Sequence, residues 1–113
     1  MLEVRNESHI CIIKILGEIT NNNLEMLISD LEENIREEHD IYLLNLSNCA
    51  YVNSRGFGYL VELYKRLKKE KKKLVLSDLV PDVMKLFEIT KINTIIEIYR
   101  TEKDALMNLY KQA

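Results

Sequence analysis

Apolar positions along the chain alternate between two periods. Residues 2–5 and 9–16, the latter reading His-Ile-Cys-Ile-Ile-Lys-Ile-Leu, are rich in β-branched side chains and stop at Gly17, which predicts the first two strands. From Leu24 the spacing becomes three and four, through Leu24, Leu27, Ile28, Leu31 and Ile35, and predicts an amphipathic helix with its N-cap offered by Asn21 to Asn23. Ile41-Tyr-Leu-Leu-Asn-Leu46 is almost continuously apolar, which suits a strand covered on both faces and places it at the centre of a sheet.

Helical spacing returns at Phe57, Leu60, Val61, Tyr64 and Leu67, followed by a short apolar run at Leu74-Val-Leu76. A strand, helix and strand of these lengths require a right-handed crossover and parallel pairing. Pro81 suits the first turn of a further helix, where its missing N–H costs nothing, with Val83, Leu86, Phe87 and Thr90 on the inner face. Ile95 to Tyr99 predicts a last strand. Thr101 and Asp104 resemble a capping box that opens a closing helix with Ala105, Leu106, Leu109 and Tyr110 inside. The predicted order is ββαβαβαβα, an α/β fold of one domain over residues 1–113 with a mixed central sheet and helices packed on it.

A chain of 113 residues with 47% hydrophobic content can bury one core without disulfides or metal. The net charge of −2 argues against direct nucleic-acid binding. Charge is nevertheless segregated: residues 25–40 hold seven acidic side chains against Arg36, with Glu37 and Glu38 among them, whereas residues 65–73 hold seven Lys or Arg against Glu70. Both runs read first as solvated helix faces, and the basic one also suits a membrane surface or a phosphate. Cys11 and Cys49 lie among apolar neighbours without ligand spacing, so they read as buried thiols of a reducing compartment. No basic leader or long apolar run is visible, which leads to the expectation of a cytoplasmic protein without a transmembrane segment. His9 and His39 have no nucleophile or carboxylate set at a recognisable spacing, so no catalytic residue, metal site or cofactor is expected.

In an open α/β sheet, function gathers where a central parallel strand ends and the next helix begins. Here that stretch runs from Asn45 to Gly58. Asn53 and Ser54 are both good N-cap residues, while Gly56 and Gly58 each weaken a helix by about 1 kcal/mol, so something must favour small residues there, and close approach of a partner or of neighbouring backbone is one such reason. No GxGxxG or Walker-type loop is present, although the turn at Gly56 could accept an anion or nucleotide. Tyr59 departs from the apolar stripe and is the aromatic expected to be exposed, a suitable anchor for a partner beside Ser54.

The run Leu-Asn-Leu-Ser, four residues, Val-Asn-Ser54-Arg-Gly-Phe-Gly, and the later Leu-Val-Leu-Ser, three residues, Pro81, resemble the STAS domain of bacterial anti-sigma-factor antagonists. Gly17-Glu18-Ile19 and the closing Ile-Ile-Glu-Ile-Tyr also fall in matching places, so the resemblance spans nearly the whole chain. It implies a partner switch. Ser54 would be phosphorylated by an anti-sigma factor that is also a kinase and dephosphorylated by a phosphatase. The unphosphorylated form would bind the anti-sigma factor through Asn53, Ser54, Arg55, Gly56 and Tyr59, making the protein a substrate rather than an enzyme. Three positions depart from the family pattern: Asn45 and Asn53 stand where Asp is usual, and Arg55 replaces a second hydroxyl residue. A phosphate adds about −1.5 to −2 charges at a helix N-terminus, which accommodates it locally while it repels an acidic or apolar partner. The loss of both Asp residues motivates an alternative, a non-phosphorylated STAS scaffold or accessory subunit of a membrane lipid transporter or signalling complex.

Overall fold

A computed structural model describes residues 1–35 and 39–112, with the side chain of Gln112 left out. The predicted acidic-run members Arg36, Glu37 and Glu38 lie outside the described residues. The elements are β1 (Leu2–Glu7), β2 (Ile10–Leu16), α1 (Leu24–Asn34), β3 (Ile41–Asn48), α2 (Ser54–Lys69), β4 (Lys73–Ser77), α3 (Pro81–Ile89), β5 (Ile98–Tyr99) and α4 (Glu102–Gln112), in the predicted order. The sheet runs β1-β2-β3-β4-β5. β1 pairs antiparallel with β2, and each later pair is parallel.

The central position of β3 follows from its sequence, since Tyr42 to Leu46 are all buried. Alternation sends Tyr42, Leu44 and Leu46 to one face, where they join Cys11, Ile13 and Ile15 beneath residues of α1, α2 and α3 such as Leu31, Leu63 and Phe87. Leu43 faces the other side with Ile10, Ile12 and Val75, under Ala105 and Leu109 of α4. Neither face of this strand could be polar without exposing the core of one layer.

Several sequence expectations are corrected. The last strand is only Ile98–Tyr99, because Ile92–Thr94 form a 3₁₀ turn and the N–H groups of Ile95 and Ile96 both donate to Ile92 O, leaving Ile95 48% exposed. In α2 the buried stripe is Gly56, Leu60, Leu63 and Leu67, with Val61 only half-buried. Thr90 is exposed at the end of α3, where its hydroxyl donates to Leu86 O instead of entering the core. Tyr110 is also exposed, its hydroxyl donating to Glu7 at 3.2 Å; Leu109 takes the inward position. The capping box at α4 is present in its first half, Asp104 N donating to Thr101 Oγ1 at 3.1 Å.

Candidate functional site: the start of α2

Two loops are zipped together before α2 begins. β2 is followed by Gly17, whose φ of +118° suits the residue without a side chain. Ile19 then forms a parallel bridge with Val52, with Ile19 N donating to Tyr51 O at 2.8 Å and Asn53 N donating to Ile19 O at 3.0 Å. This fixes Asn53 in an extended conformation (φ −76°, ψ 169°), from which its Oδ1 accepts Gly56 N at 2.7 Å and its carbonyl accepts Phe57 N at 2.9 Å. Of the two N-cap candidates, Asn53 therefore holds the position. Its Nδ2 donates to Asn21 Oδ1 at 2.8 Å, a bond that requires the amide. Asn23, one of the residues expected to cap α1, holds the N-cap position, but its side chain clasps the preceding loop instead of the helix: its Oδ1 accepts Thr20 N and its Nδ2 donates to Glu18 O.

Ser54 becomes the first helical residue, exposed, and its hydroxyl has no hydrogen-bond partner among the described residues. The N–H groups of Ser54 and Arg55 are among the donors that a helix start leaves without an intrahelical acceptor. Arg55, a cation at the positive end of the helix dipole, meets a carboxylate in compensation: its Nη2 lies 3.7 Å from Glu25 Oε1 in the first turn of α1, with both side chains largely in water. Gly56 is buried because the core requires it. A Cβ there would sit 2.5 Å from Ile19 Cγ2 and 3.0 Å from Asn53 Oδ1, whereas at Gly58 it would meet nothing within 4 Å.

Tyr59 is placed differently from the expectation. It is half-buried, and its hydroxyl donates to Glu32 Oε2 at 2.5 Å, an oxygen that also accepts Arg66 Nη2 at 2.5 Å. Burial and then the Glu32 carboxylate push its hydroxyl pKa far up. Burial opposes ionisation of Glu32, but the bonds from Arg66 and Tyr59 outweigh it and hold the carboxyl below its usual range. Tyr59 thus ties α2 to α1, and the exposed aromatic beside the site is Tyr51, at 51%. Tyr51 sits in an irregular loop, where helical periodicity gives no signal.

Asn45 is not brought to this turn. It is 7% exposed on the α4 side of the sheet, where Oδ1 accepts Ser47 N at 2.9 Å and Nδ2 donates to Glu102 Oε1 at 3.1 Å. Glu102 also accepts Arg5 Nη2 at 2.6 Å. An amide rather than a carboxylate at position 45 is what a neighbouring carboxylate demands. No three His, Cys, Asp or Glu among the described residues are grouped to hold a metal, and no described helix is long and apolar enough to cross a membrane.

The family model for the STAS domain matches residues 1–105. The chain belongs to the STAS domain family. An anti-sigma F factor antagonist of Paenibacillus polymyxa is 26% identical over 111 residues, covering 96% of this chain and 95% of its own. An anti-sigma-B factor antagonist of Listeria monocytogenes is 32% identical over 101 residues, covering 89% and 88%. The crystal structure of an anti-sigma factor antagonist from Mycobacterium paratuberculosis superposes with a TM-score of 0.85 at 19% identity, covering 96% of this chain and 92% of that one. Within this STAS domain, two departures from the family pattern have local partners: Asn53 is satisfied by Asn21 and Gly56, and Arg55 by Glu25.

Proposed function

We propose that this STAS domain is a cytoplasmic anti-sigma-factor antagonist that works by partner switching, with Ser54 as the switched group. The observation that carries the reading is the exposed Ser54 hydroxyl at the first position of α2, beside the unpaired N–H groups of that turn. In this reading an anti-sigma factor with kinase activity docks on Asn53, Ser54 and Arg55, with Gly56 keeping the turn tight and Tyr59 fixing α2 against α1. The kinase transfers the terminal phosphoryl group of ATP to Ser54 Oγ: a P–O bond forms there, the bond to ADP breaks, and the hydroxyl proton leaves. A phosphatase restores the hydroxyl. The helix start tolerates the new dianion, and Arg55 can turn from Glu25 toward it, but a partner surface matched to a neutral serine is repelled. The domain serves as substrate and regulator and supplies no catalytic group.

Intact-mass measurement after incubation with ATP and the cognate kinase tests this. One added phosphate, absent from Ser54→Ala, is expected. No added phosphate rejects the switch and leaves an unmodified scaffold as the reading, and phosphate retained in Ser54→Ala rejects Ser54 as the switched group.

A further inference from the structure

At the far end of α2 the basic run does more than coat a helix face. Lys68, Lys71, Lys72 and Lys73 line a cleft of about 300 Å³ whose floor and rim are Tyr64, Leu74 and the exposed Ile95. Glu97 is the single acidic residue among the described residues that line it, and it bonds Lys73 at 2.8 Å. Two of the ammonium groups are held over aromatic rings, Lys68 5.8 Å from the centre of Tyr64 and Lys72 5.9 Å from that of Tyr42. Tyr64 is itself fixed, its hydroxyl donating to Ile95 O at 2.9 Å. The helix dipole explains cations in the last turn of α2, but Lys71, Lys72 and Lys73 lie beyond the helix, so the concavity gathers more positive charge than the dipole accounts for and favours an anion beside Lys68 and Lys71.

We propose that this cleft is a second binding site, for a compact anion bearing several phosphate charges. The anion would be held by Lys68, Lys71 and Lys72 with its apolar portion against Tyr64 and Ile95. Both a soluble polyphosphate and a phosphorylated lipid headgroup offer that chemistry. The site lies about 20 Å along α2 from Ser54 and is independent of the switch reading.

Lys71 makes the test clean. It adopts a left-handed conformation (φ 63°) just past α2, with Lys72 N donating to Leu67 O and Lys71 N to Lys68 O, the position at which glycine is the most stable residue. Lys71→Gly should therefore raise the melting temperature while weakening binding, so lost affinity cannot be assigned to misfolding.

Calorimetric titration with inorganic tripolyphosphate, and sedimentation with phosphatidylcholine vesicles with or without phosphatidylinositol phosphates, separate the two sources. Saturable binding of either probe is expected, weakened about tenfold or more in Lys68→Ala/Lys71→Gly, since each charge-assisted contact is worth about one decade. It should change far less in Lys65→Ala/Lys69→Ala, which removes the same charge from outside the cleft. Tripolyphosphate binding would identify a soluble anion, and binding to charged vesicles alone a headgroup. Binding of neither probe, or equal losses in the two double variants, overturns the proposal.

Discussion

The two glycines in the first turns of α2 should respond to alanine with opposite signs. At Gly58 the new methyl enters open space, so the substitution gains helix propensity, about 1 kcal/mol of stabilisation. At Gly56 the same gain is available but the methyl arrives 2.5 Å from Ile19 Cγ2. Ile19 cannot yield easily: it is fully buried, its side chain is β-branched and stiff, and its N–H and C=O are both engaged in the bridge to residues 51–53. Overpacking of this kind costs about 1–3 kcal/mol. The methyl also crowds Asn53 Oδ1, and displacing that cap costs about 1 kcal/mol more. The net for Gly56→Ala is a loss of about 1–3 kcal/mol, against a gain of about 1 kcal/mol for Gly58→Ala. Urea unfolding followed by circular dichroism reads both, and in a domain of this size each kcal/mol moves the melting temperature by about 4 °C. Equal stabilisation by the two substitutions would refute the packing of Ile19 against the start of α2.

Asn45→Asp should destabilise the fold by about 1–3 kcal/mol at neutral pH, since it places a buried carboxylate against Glu102. The deficit should shrink below about pH 5 as one of the pair takes up a proton, and parallel unfolding curves at two pH values check it. In the wild type, burial is the largest single influence on Glu32, Glu97 and Glu102 and pushes each up, but the combined bonds from Arg66 and Tyr59, from Lys73 and Tyr99, and from Arg5 and Asn45 respectively outweigh it and hold the three carboxyls below the usual range. With folded values below the unfolded one, their contribution is complete above the unfolded value of about 4.5 and is lost as pH falls through the folded values, so the urea midpoint should drop on acidification from pH 5 to 3. Tyr59→Phe should cost about 1 kcal/mol by removing the bond to Glu32, measured by the same unfolding assay.

The architecture was legible because β3 is apolar on both faces and the helices carry clear stripes. The inaccuracies fall where local pattern underdetermines tertiary placement. Val61 and Leu63 are both apolar and lie two positions apart on α2, and only the angle at which the helix meets the sheet turns Leu63 inward. Tyr59 leaves the stripe and on periodicity alone should be exposed, yet Glu32 comes from α1 to accept its hydroxyl together with Arg66. Asn45 and Asn53 look like equivalent losses of an acid in the sequence. In space Asn45 lies on the α4 side of the sheet against Glu102, whereas Asn53 lies in the loop that opens α2, against Asn21. The Ser54 turn itself was readable, since capping residues and glycines at a strand end mark it without tertiary information.

The claim that Ser54 governs partner choice is tested most directly by titrating the cognate anti-sigma factor into the unphosphorylated and the fully phosphorylated protein under identical salt. The phosphorylated form is expected to bind at least tenfold more weakly, about 1.4 kcal/mol, with Ser54→Asp shifted in the same direction. Equal affinities for the two forms would contradict it.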